Sequence, residues 1–268
     1  MQFLKRLSWH LKNEKNLVSW ILSRFLFYTG MGRIFTINCG LYKIRFFPST
    51  ISLAKWINRS YGDDDEFLLR RILRTNDIVI DVGANIGTAT LASASLVGKQ
   101  GLVIAFEPNP RVFRYLRKNI KLNRFTNVIA YNFAVGDRPG DVGFTDKRYD
   151  DQNKILPLGE YKIHMTTLDE QISAIQGRIR LLKVDVEGYE MFVFLGASKT
   201  LARTDYIYFE VYDLHFMPLG YSTAKLLQML QSHGFCFYRI DEDGKNIALG
   251  TNFIPIKCMN LLGKQTLI

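Results

Sequence analysis

The chain has 268 residues, a length that suits one large α/β domain with an extension, or at most two small domains. Hydrophobic residues make up 47% of it and charged residues 22%, which are values of a globular protein and exclude a largely disordered chain. The three cysteines, Cys39, Cys236 and Cys258, are too few and too widely spaced for a disulfide scaffold or a CxxC zinc site, so we expect reduced thiols in a cytoplasmic protein.

The formal net charge of +10 comes mostly from the first part of the chain. Before Asp77 there are 13 lysines and arginines against 5 acidic residues, whereas from Asp77 onward there are 22 against 20. The first part is therefore strongly basic and the rest is almost neutral. We expect the basic part to meet an anionic surface, which could be membrane lipid, an acidic glycan or nucleic acid.

Residues 1–30 carry apolar side chains at steps of three and four, with lysines and arginines between them, which predicts a basic amphipathic helix. Such a helix can lie on an anionic membrane, or it can pack its apolar stripe on the main domain, which is the more ordinary arrangement. Its most apolar stretch, Leu17 to Tyr28, is too short to span a bilayer and is interrupted by Arg24. No small-residue cleavage pattern follows that stretch, so we do not expect a signal peptide.

Two short strands are predicted next, Arg33 to Asn38 and Tyr42 to Phe47, joined by a turn at Asn38-Cys39-Gly40. Acidic residues at 63–65 then precede a helix over Phe67 to Leu73. We divide the chain after residue 60. Residues 1–60 should form a basic N-terminal extension with a helix and a short hairpin, and residues 61–268 the main domain.

From Asp77 onward the pattern alternates between apolar strands and helices, which is typical of a parallel sheet with helices on both faces. The predicted strands are Ile78–Val82, Leu102–Phe106, Val128–Phe133, Leu181–Val184, Tyr206–Val211, Phe235–Ile240 and Asn252–Ile256. The predicted helices are Thr88–Ser95, Pro110–Leu122, Thr167–Ile175, Tyr189–Leu201 and Thr223–His233. The last two strands are too close in sequence for a crossover helix, so they should pair antiparallel. We therefore expect a Rossmann-like α/β fold with a mostly parallel seven-stranded sheet and an antiparallel last strand pair.

The first site motif is DVGANIG, residues 81–87, at the end of a predicted strand and the start of a helix. Ligands of such sheets bind beyond the carboxyl ends of the strands, where glycines let the backbone approach closely. A dinucleotide would need the spacing GxGxxG, whereas this loop has GxxxG. Asp81 would repel a pyrophosphate but attract the cationic groups of S-adenosylmethionine (SAM), directly or through water. The loop favours SAM, and the plainer alternative is two turn glycines with a helix-capping acid.

Two further motifs follow later strands. Glu107, in FEPNP, can accept hydrogen bonds from both hydroxyls of a ribose. In KVDVEGYE, residues 183–190, Asp185 and Glu187 share one face of an extended strand tip, toward the methionine part of SAM and the incoming substrate. Either acid could instead cap the helix that follows.

The motifs DVGANIG, FEPNP, NFAVGD, TTLDE and KVDVEGYE occur in this order between Tyr61 and Ile256, and together they resemble the FkbM family of methyltransferases. The resemblance implies a class I SAM-dependent methyltransferase fold and methylation of hydroxyl groups, often on saccharides or secondary metabolites. It also implies that the adenine of SAM lies near residues 132–134. The cofactor-binding residues expected on this basis are Asp81, Gly83, Ala84, Asn85, Gly87, Glu107, Pro108, Asn132, Phe133, Ala134 and Asp185.

An alcohol becomes a good nucleophile only when its proton is removed, so a general base is expected beside the transferable methyl group. The candidates near the strand tips are Asp185, Glu187, Glu210 and His215. A histidine alone in a loop can also be structural or solvated, although its usual pKa suits a base. The acids could instead hold a divalent metal that binds two substrate oxygens, but no ligand spacing specifies such a site and we predict none.

The sequence thus predicts a SAM-dependent O-methyltransferase whose acceptor is a saccharide, a glycolipid or a small natural product. An RNA methyltransferase is the alternative enzyme, but the nearly neutral main domain carries no named RNA-binding motif, so we expect no nucleic acid partner. A third interpretation is a SAM-binding interaction module without activity, and the acids at the strand tips argue against it. We also expect peripheral contact with an anionic membrane through residues 1–30.

Overall fold

The computed structural model describes residues 17–147, 153–156, 159–241, 245–250 and 253–266. Its strands are β1 (Thr36–Asn38), β2 (Lys43–Arg45), β3 (Ile78–Val82), β4 (Leu102–Phe106), β5 (Val128–Tyr131), β6 (Ala134–Val135), β7 (Gly140–Phe144), β8 (Tyr161–Thr166), β9 (Ile179–Val184), β10 (Thr204–Val211), β11 (Phe235–Ile240), β12 (Asn246–Ala248) and β13 (Met259–Gln265). Its α-helices are α1 (Leu17–Thr29), α2 (Thr50–Ile57), α3 (Asp63–Ile72), α4 (Thr88–Val97), α5 (Pro110–Asn123), α6 (Leu168–Gln171), α7 (Glu190–Leu195), α8 (Ser198–Ala202), α9 (Asp213–Phe216) and α10 (Thr223–Ser232).

The main sheet has eight strands in the order β12-β11-β13-β10-β9-β3-β4-β5. The neighbours from β10 through β9, β3 and β4 to β5 are parallel, and β13 pairs antiparallel with both β10 and β11. The predicted Rossmann-like fold with an antiparallel end is therefore confirmed. The sheet has one strand more than the seven expected, because β12 adds a short edge to β11. Parallel pairing brings the carboxyl ends of β3, β4, β9 and β10 to one edge of the sheet.

The last strand was predicted in the wrong place. It is Met259–Gln265, whereas the described part of the predicted Asn252–Ile256 strand, from residue 253 onward, is not a strand, and Asn252 lies outside the described residues. The segment contains Pro255, which has no backbone N–H to donate. A strand between β10 and β11 must donate hydrogen bonds on both sides, so a proline is unsuited to that position.

A second sheet was missed. It has the order β6-β8-β7, and it includes two strands between residues 140 and 166 that were not predicted. The strand predicted over Val128–Phe133 consequently ends at Tyr131, because the chain leaves the main sheet there. Two predicted helices are also too long. In the range predicted as one helix over Thr167–Ile175, only Leu168–Gln171 (α6) is α-helical. The helix predicted over Tyr189–Leu201 is divided into α7 and α8 near Gly196, which lies too close to the carbonyl oxygen of Gly136 to carry a side chain.

The predicted hairpin is formed by β1 and β2 and is fixed on α5. The backbone N–H of Lys43 donates to Asn123 (2.7 Å) and that of Arg45 donates to Asn119 (2.9 Å). Just after β2, the ring of Phe47 stacks on Tyr115 with 4.3 Å between centroids. This part of the extension therefore belongs to the same apolar core as the main domain, and the division at residue 60 stays a prediction.

Helix α1 buries one side and exposes the other. Leu26 and Phe27 are buried in the core, which confirms packing for the part of the predicted helix that the structure describes. Its outer side exposes the large apolar residues Ile21, Leu22, Phe25 and Tyr28. Residues 1–16 lie outside the described residues. Among the helices that the structure describes, none has the length and apolar character needed to cross a bilayer.

Candidate active site

A cleft of about 350 Å³ opens at the edge of the sheet where β3, β4, β9 and β10 end. The loops after these strands supply one side of its lining, including Gly83, Glu107, Asp185 and Glu187. Most of the residues predicted from the sequence are thus brought to one place. A binding cleft at this edge is the arrangement expected of an open α/β sheet.

The loop after β3 is shaped by a glycine that no other residue could replace. Gly83 has φ of +84°, and a Cβ built on it would lie 1.8 Å from the carbonyl oxygen of Asp185. The backbone N–H groups of Gly83 and Ala84 donate to the carbonyl oxygen of Phe106 at 3.0 and 2.9 Å. The loop is therefore held against the ends of both neighbouring strands. Gly87, with φ of +101°, lets α4 begin against Leu116 and is not among the cleft-lining residues.

Glu107 is the most firmly oriented acid of the cleft. Its Oε2 accepts a hydrogen bond from the backbone N–H of Asn85 (2.9 Å), and its Oε1 accepts one from that of Asn109 (2.8 Å). The side chain is 6% exposed and lines the cleft. Each carboxylate oxygen has more than one lone pair, so both can accept a second hydrogen bond. The geometry suits a ligand with two adjacent hydroxyls, as in ribose.

Asp81 does not line the cleft. It is buried, its Oδ2 accepts a hydrogen bond from the Thr90 hydroxyl (2.6 Å), and its Oδ1 lies 3.8 Å from Nζ of Lys183. Burial raises the pKa of Asp81, and the nearby Lys183 ammonium only partly opposes that effect. The predicted contact between Asp81 and the cofactor stays a prediction. In the structure, Asp81 stabilises the end of β3 through its buried contacts with Thr90 and Lys183.

Lys183 was missed by the sequence analysis. It is buried at the end of β9, and its Nζ lies 3.0 Å from Oδ2 of Asp185. Burial alone would lower the pKa of Lys183, but the carboxylates of Asp185 and Asp81 more than reverse this and hold the ammonium charged. The available signal was that Lys183 is the one polar residue in the predicted strand Leu181–Val184, because a lysine among buried apolar residues needs a buried partner.

Three side chains with ligating atoms meet at the end of β10. Nδ1 of His215 lies 3.8 Å from Oε2 of Glu187 and 3.7 Å from Oε2 of Glu210. Glu187 adopts φ of +55°, an uncommon conformation for a residue with a side chain. The buried carboxyl of Glu190 accepts hydrogen bonds from the backbone N–H groups of the two residues that flank Glu187, Val186 (3.0 Å) and Gly188 (3.4 Å). The loop is thereby held in the shape that turns Glu187 toward the cleft.

The environment of Glu210 is partly apolar. Burial raises its pKa, and the negative charge of Asp185 raises it further. The thiol of Cys258 donates to its Oε1 at 2.8 Å. Cys258 comes from the segment before β13, 48 residues away in sequence, so no local pattern could have placed it here.

At the far end of the cleft, Pro108, Phe133 and Ala134 line the cavity as predicted for an adenine site. Asn132 is not among the lining residues. Its side-chain amide donates to the carbonyl oxygens of Glu107 (2.8 Å) and Pro108 (2.9 Å), so it positions the loop that carries them. Contact between these four residues and a cofactor stays a prediction.

Another wall of the cleft comes from residues before β3, none of which was predicted as a site residue. It contains Tyr42, Lys55 and Asp65. Lys55 is buried, with Nζ 3.6 Å from Oδ1 of Asp63. Asp65 accepts a hydrogen bond from the hydroxyl of Tyr208 on β10 (2.6 Å), which joins this wall to the sheet.

Comparisons with known proteins find similar methyltransferases. The family model described as "Methyltransferase FkbM domain" matches residues 81–237, more than half of the chain. The chain is 28% identical over 175 residues to hexuronic acid methyltransferase AglP of Haloferax volcanii, covering 64% of this chain and 71% of the relative. It is 26% identical over 180 residues to 2-O-methyltransferase NoeI of Sinorhizobium fredii, covering 59% of this chain and 73% of the relative. A solved structure of methyltransferase FkbM from Methylobacillus flagellatus is similar with a TM-score of 0.46 and 14% identity, covering 79% of this chain and 54% of that chain.

Proposed function

The chain belongs to the FkbM methyltransferase family, and from this premise we propose that it is a SAM-dependent O-methyltransferase whose acceptor is a hydroxyl group of a saccharide or of a molecule that carries one. Methyltransferase activity and the use of SAM follow from the family. The saccharide acceptor is supported by the names of two relatives, a hexuronic acid methyltransferase and a 2-O-methyltransferase.

The cleft fits SAM through its own donors and acceptors. Glu107 is positioned to accept hydrogen bonds from the ribose hydroxyls, and Pro108, Phe133 and Ala134 offer apolar contact to the adenine. Only a glycine at position 83 lets this loop lie directly against the backbone of Asp185. When bound, SAM supplies an electrophilic methyl group on a positively charged sulfur. The carboxylates along the cleft attract that positive charge.

The acceptor side of the cleft is the cluster of Glu187, Glu210 and His215. Of the candidate bases, Asp185 is the least suited, because its Oδ2 already accepts a hydrogen bond from Nζ of Lys183 at 3.0 Å. The raised pKa of Glu210 makes it a stronger proton acceptor than an ordinary carboxylate. His215 lies close enough to exchange a proton with either glutamate after small movements of the side chains. We therefore place removal of the acceptor's proton at this cluster.

The observation that carries the proposal is that an acid oriented for a ribose and an acid–histidine cluster line or adjoin one cleft. The test is transfer of labelled methyl from SAM to a panel of uronic acids, neutral saccharides and RNA. We expect label in saccharide as a base-stable methyl ether. Glu210→Gln should lower turnover by about 10²–10⁴-fold, the usual contribution of a general base. Asp141→Asn, a change of an exposed acid on β7 outside the cleft, is the matched control.

Label that enters only RNA would replace this proposal with an RNA methyltransferase. Binding of SAM without transfer to any acceptor would favour the interaction module without activity. Label in saccharide that is lost in mild base would indicate a methyl ester of a uronic acid, and would refute methylation of a hydroxyl while leaving the saccharide acceptor in place.

A further inference from the structure

The cluster of Glu187, Glu210 and His215 has the composition of a metal site. One ligating atom from each residue lies within 4.8 Å of the other two, and within the ranges that the structure describes it is the single group of three such residues. Glu187 follows β9, Glu210 is the next-to-last residue of β10, and His215 lies on α9. Three elements of the fold therefore bring these side chains together from different directions.

Hydrogen bonding does not account for the position of the His215 Nδ1 atom. The His215 Nδ1 atom is 3.7 and 3.8 Å from the nearest glutamate oxygens, which is beyond hydrogen-bond distance. That nitrogen is buried and has no hydrogen-bond partner. A buried polar atom without a partner is costly, so such atoms in folded proteins usually have a ligand, a water or an ion beside them.

Electrostatics also favour a cation here. Asp185 lines the same cleft as Glu187 and Glu210 and adds a third carboxylate at this end of the sheet. Lys183 neutralises part of this charge, but its Nζ contacts Asp185 and Asp81 rather than the two glutamates. A divalent ion between Glu187 and Glu210 would remove their mutual repulsion.

The separations match a slightly expanded coordination sphere. Metal–nitrogen and metal–oxygen bonds of about 2.0–2.2 Å place neighbouring ligands roughly 3 Å apart and opposite ligands roughly 4.2 Å apart. The two measured distances fall between these limits, so small rotations of the side chains would complete the site. A set of two carboxylates and one imidazole suits Mn²⁺, Fe²⁺, Co²⁺ or Zn²⁺ better than Mg²⁺ or Ca²⁺, which prefer oxygen ligands alone.

We infer that Glu187, Glu210 and His215 bind one divalent transition-metal ion whose remaining coordination positions face the cleft. Both glutamates line the cleft, so those positions are accessible to a ligand within it. The role of the ion rests on the proposed function: it would bind oxygens of the acceptor, orient them, and lower the pKa of the hydroxyl that is methylated. The ion would not change its oxidation state, and the hydroxyl proton would pass to water or to a glutamate oxygen that does not bind the ion.

Binding can be tested without any acceptor. The full-length protein is stripped with chelator, desalted and titrated with Mn²⁺, while electron paramagnetic resonance follows the free ion. We expect one site for each chain. Removing a residue that only hydrogen-bonds to a metal ligand typically weakens metal binding about 10–100-fold. His215→Ala removes a ligand itself, so it should weaken Mn²⁺ binding at least about 100-fold. His164→Ala is the matched control, because His164 also lies beside a carboxylate, Asp141 (3.6 Å), but outside the cleft.

A second readout identifies the ligands. Co²⁺ bound at the site should give a visible absorption band that changes in His215→Ala and in Glu210→Gln but not in His164→Ala. Binding of S-adenosylhomocysteine and thermal unfolding show whether each variant is folded, and Glu187→Gln replaces any variant that is not. Absence of a stoichiometric Mn²⁺ site, or affinity that is unchanged in folded His215→Ala and Glu210→Gln, would overturn the inference. Mn²⁺ binding without saccharide methylation would refute only the proposed function, whereas full methylation by chelator-treated protein without a site would refute only the metal.

Discussion

The buried ion pairs of Lys183 allow a quantitative test of how the strand tip is built. The substitution Lys183→Met keeps most of the side-chain volume and removes the ammonium that lies 3.0 Å from Asp185 and 3.8 Å from Asp81. Asp185 is partly exposed, so water can replace much of its interaction. Asp81 is 1% exposed, and its Oδ1 has no hydrogen-bond partner. The cost of the substitution therefore falls mainly on Asp81.

Removing one partner of a buried ion pair typically costs about 3–5 kcal/mol of the free energy of unfolding. In urea this should lower the unfolding midpoint at neutral pH by about 1–2 M. Burial already raises the pKa of Asp81, and loss of Lys183 removes the first cause that opposes the rise. The folded variant would hold Asp81 protonated while the unfolded chain ionises it, so the variant should lose stability as the pH rises above the ordinary aspartate pKa and regain it in acid.

Two further variants make this test specific. Asp81→Asn combined with Lys183→Met should recover most of the loss, because the amide oxygen can still accept the Thr90 hydrogen bond without a buried charge. Lys162→Met is the matched control. Its ammonium pairs with Asp141 at 2.9 Å, but both side chains are largely exposed and screened by water, so we expect almost no change in the unfolding midpoint. If Lys183→Met is as stable as the control at neutral pH, or if Asp81→Asn gives no recovery, the argument that Lys183 compensates Asp81 is wrong.

Three other predictions concern the cofactor, the loop and the N-terminal segment. Glu107→Gln turns an amide NH₂ toward the backbone N–H of either Asn85 or Asn109, so calorimetry should show that binding of S-adenosylhomocysteine is weakened by about 1–3 kcal/mol. Unchanged affinity would contradict the assignment of Glu107 to the ribose. Burial raises the pKa of Glu190 from 4.5 to about 8, so the free energy of unfolding should fall as pH rises across that interval, by at most about 1.4 kcal/mol per pH unit. In urea unfolding, Glu190→Gln should reduce this dependence of stability on pH, and an equal slope in both proteins would refute the assignment. We propose that residues 1–30 contact anionic membrane. The substitution Phe25→Glu places a charge on the exposed apolar side of α1, so it should reduce sedimentation with phosphatidylserine vesicles at low salt. If the unaltered chain does not sediment with the vesicles, the contact is refuted.

The parts of the fold that were predictable are those in which local sequence and burial agree. The strands Ile78–Val82 and Leu102–Phe106 were predicted with the bounds that the structure has, because each is a short, mostly apolar run that ends directly before a motif residue, Gly83 or Glu107. The motif loops follow directly from such strand ends, which is why Gly83 and Glu107 could be placed at the cleft. A buried parallel strand is the element that sequence patterns describe best in this fold.

The parts that were not predictable depend on contacts between distant segments. The strand Gly140–Phe144 contains two glycines and is partly exposed, so it has neither a continuous apolar run nor a clear alternation. The contact between Cys258 and Glu210 arises because β13 inserts between β10 and β11, an order that the spacing of the segments does not reveal. The close approach of His215 to two glutamates likewise depends on the short helix α9, whose four residues are too few for a helical pattern.

Two parts of the sequence line the cleft, one inside the range that matches the family and one before it, and this difference bears on how an acceptor is selected. Residues 81–237 match the family and contain the cofactor loop together with the Glu187–Glu210–His215 cluster, whereas the wall with Lys55 and Asp65 lies before that range. SAM is the same molecule in every enzyme that has this loop, so the groups that distinguish one acceptor from another must lie where SAM does not. We propose that the buried ammonium of Lys55 and the carboxylate of Asp65 recognise the acceptor by hydrogen bonds, while the cluster acts on the oxygen that is methylated. Residues of this segment pack in the same apolar core as the main domain and are joined to β10 by the hydrogen bond between Asp65 and Tyr208, which would hold such groups in fixed positions.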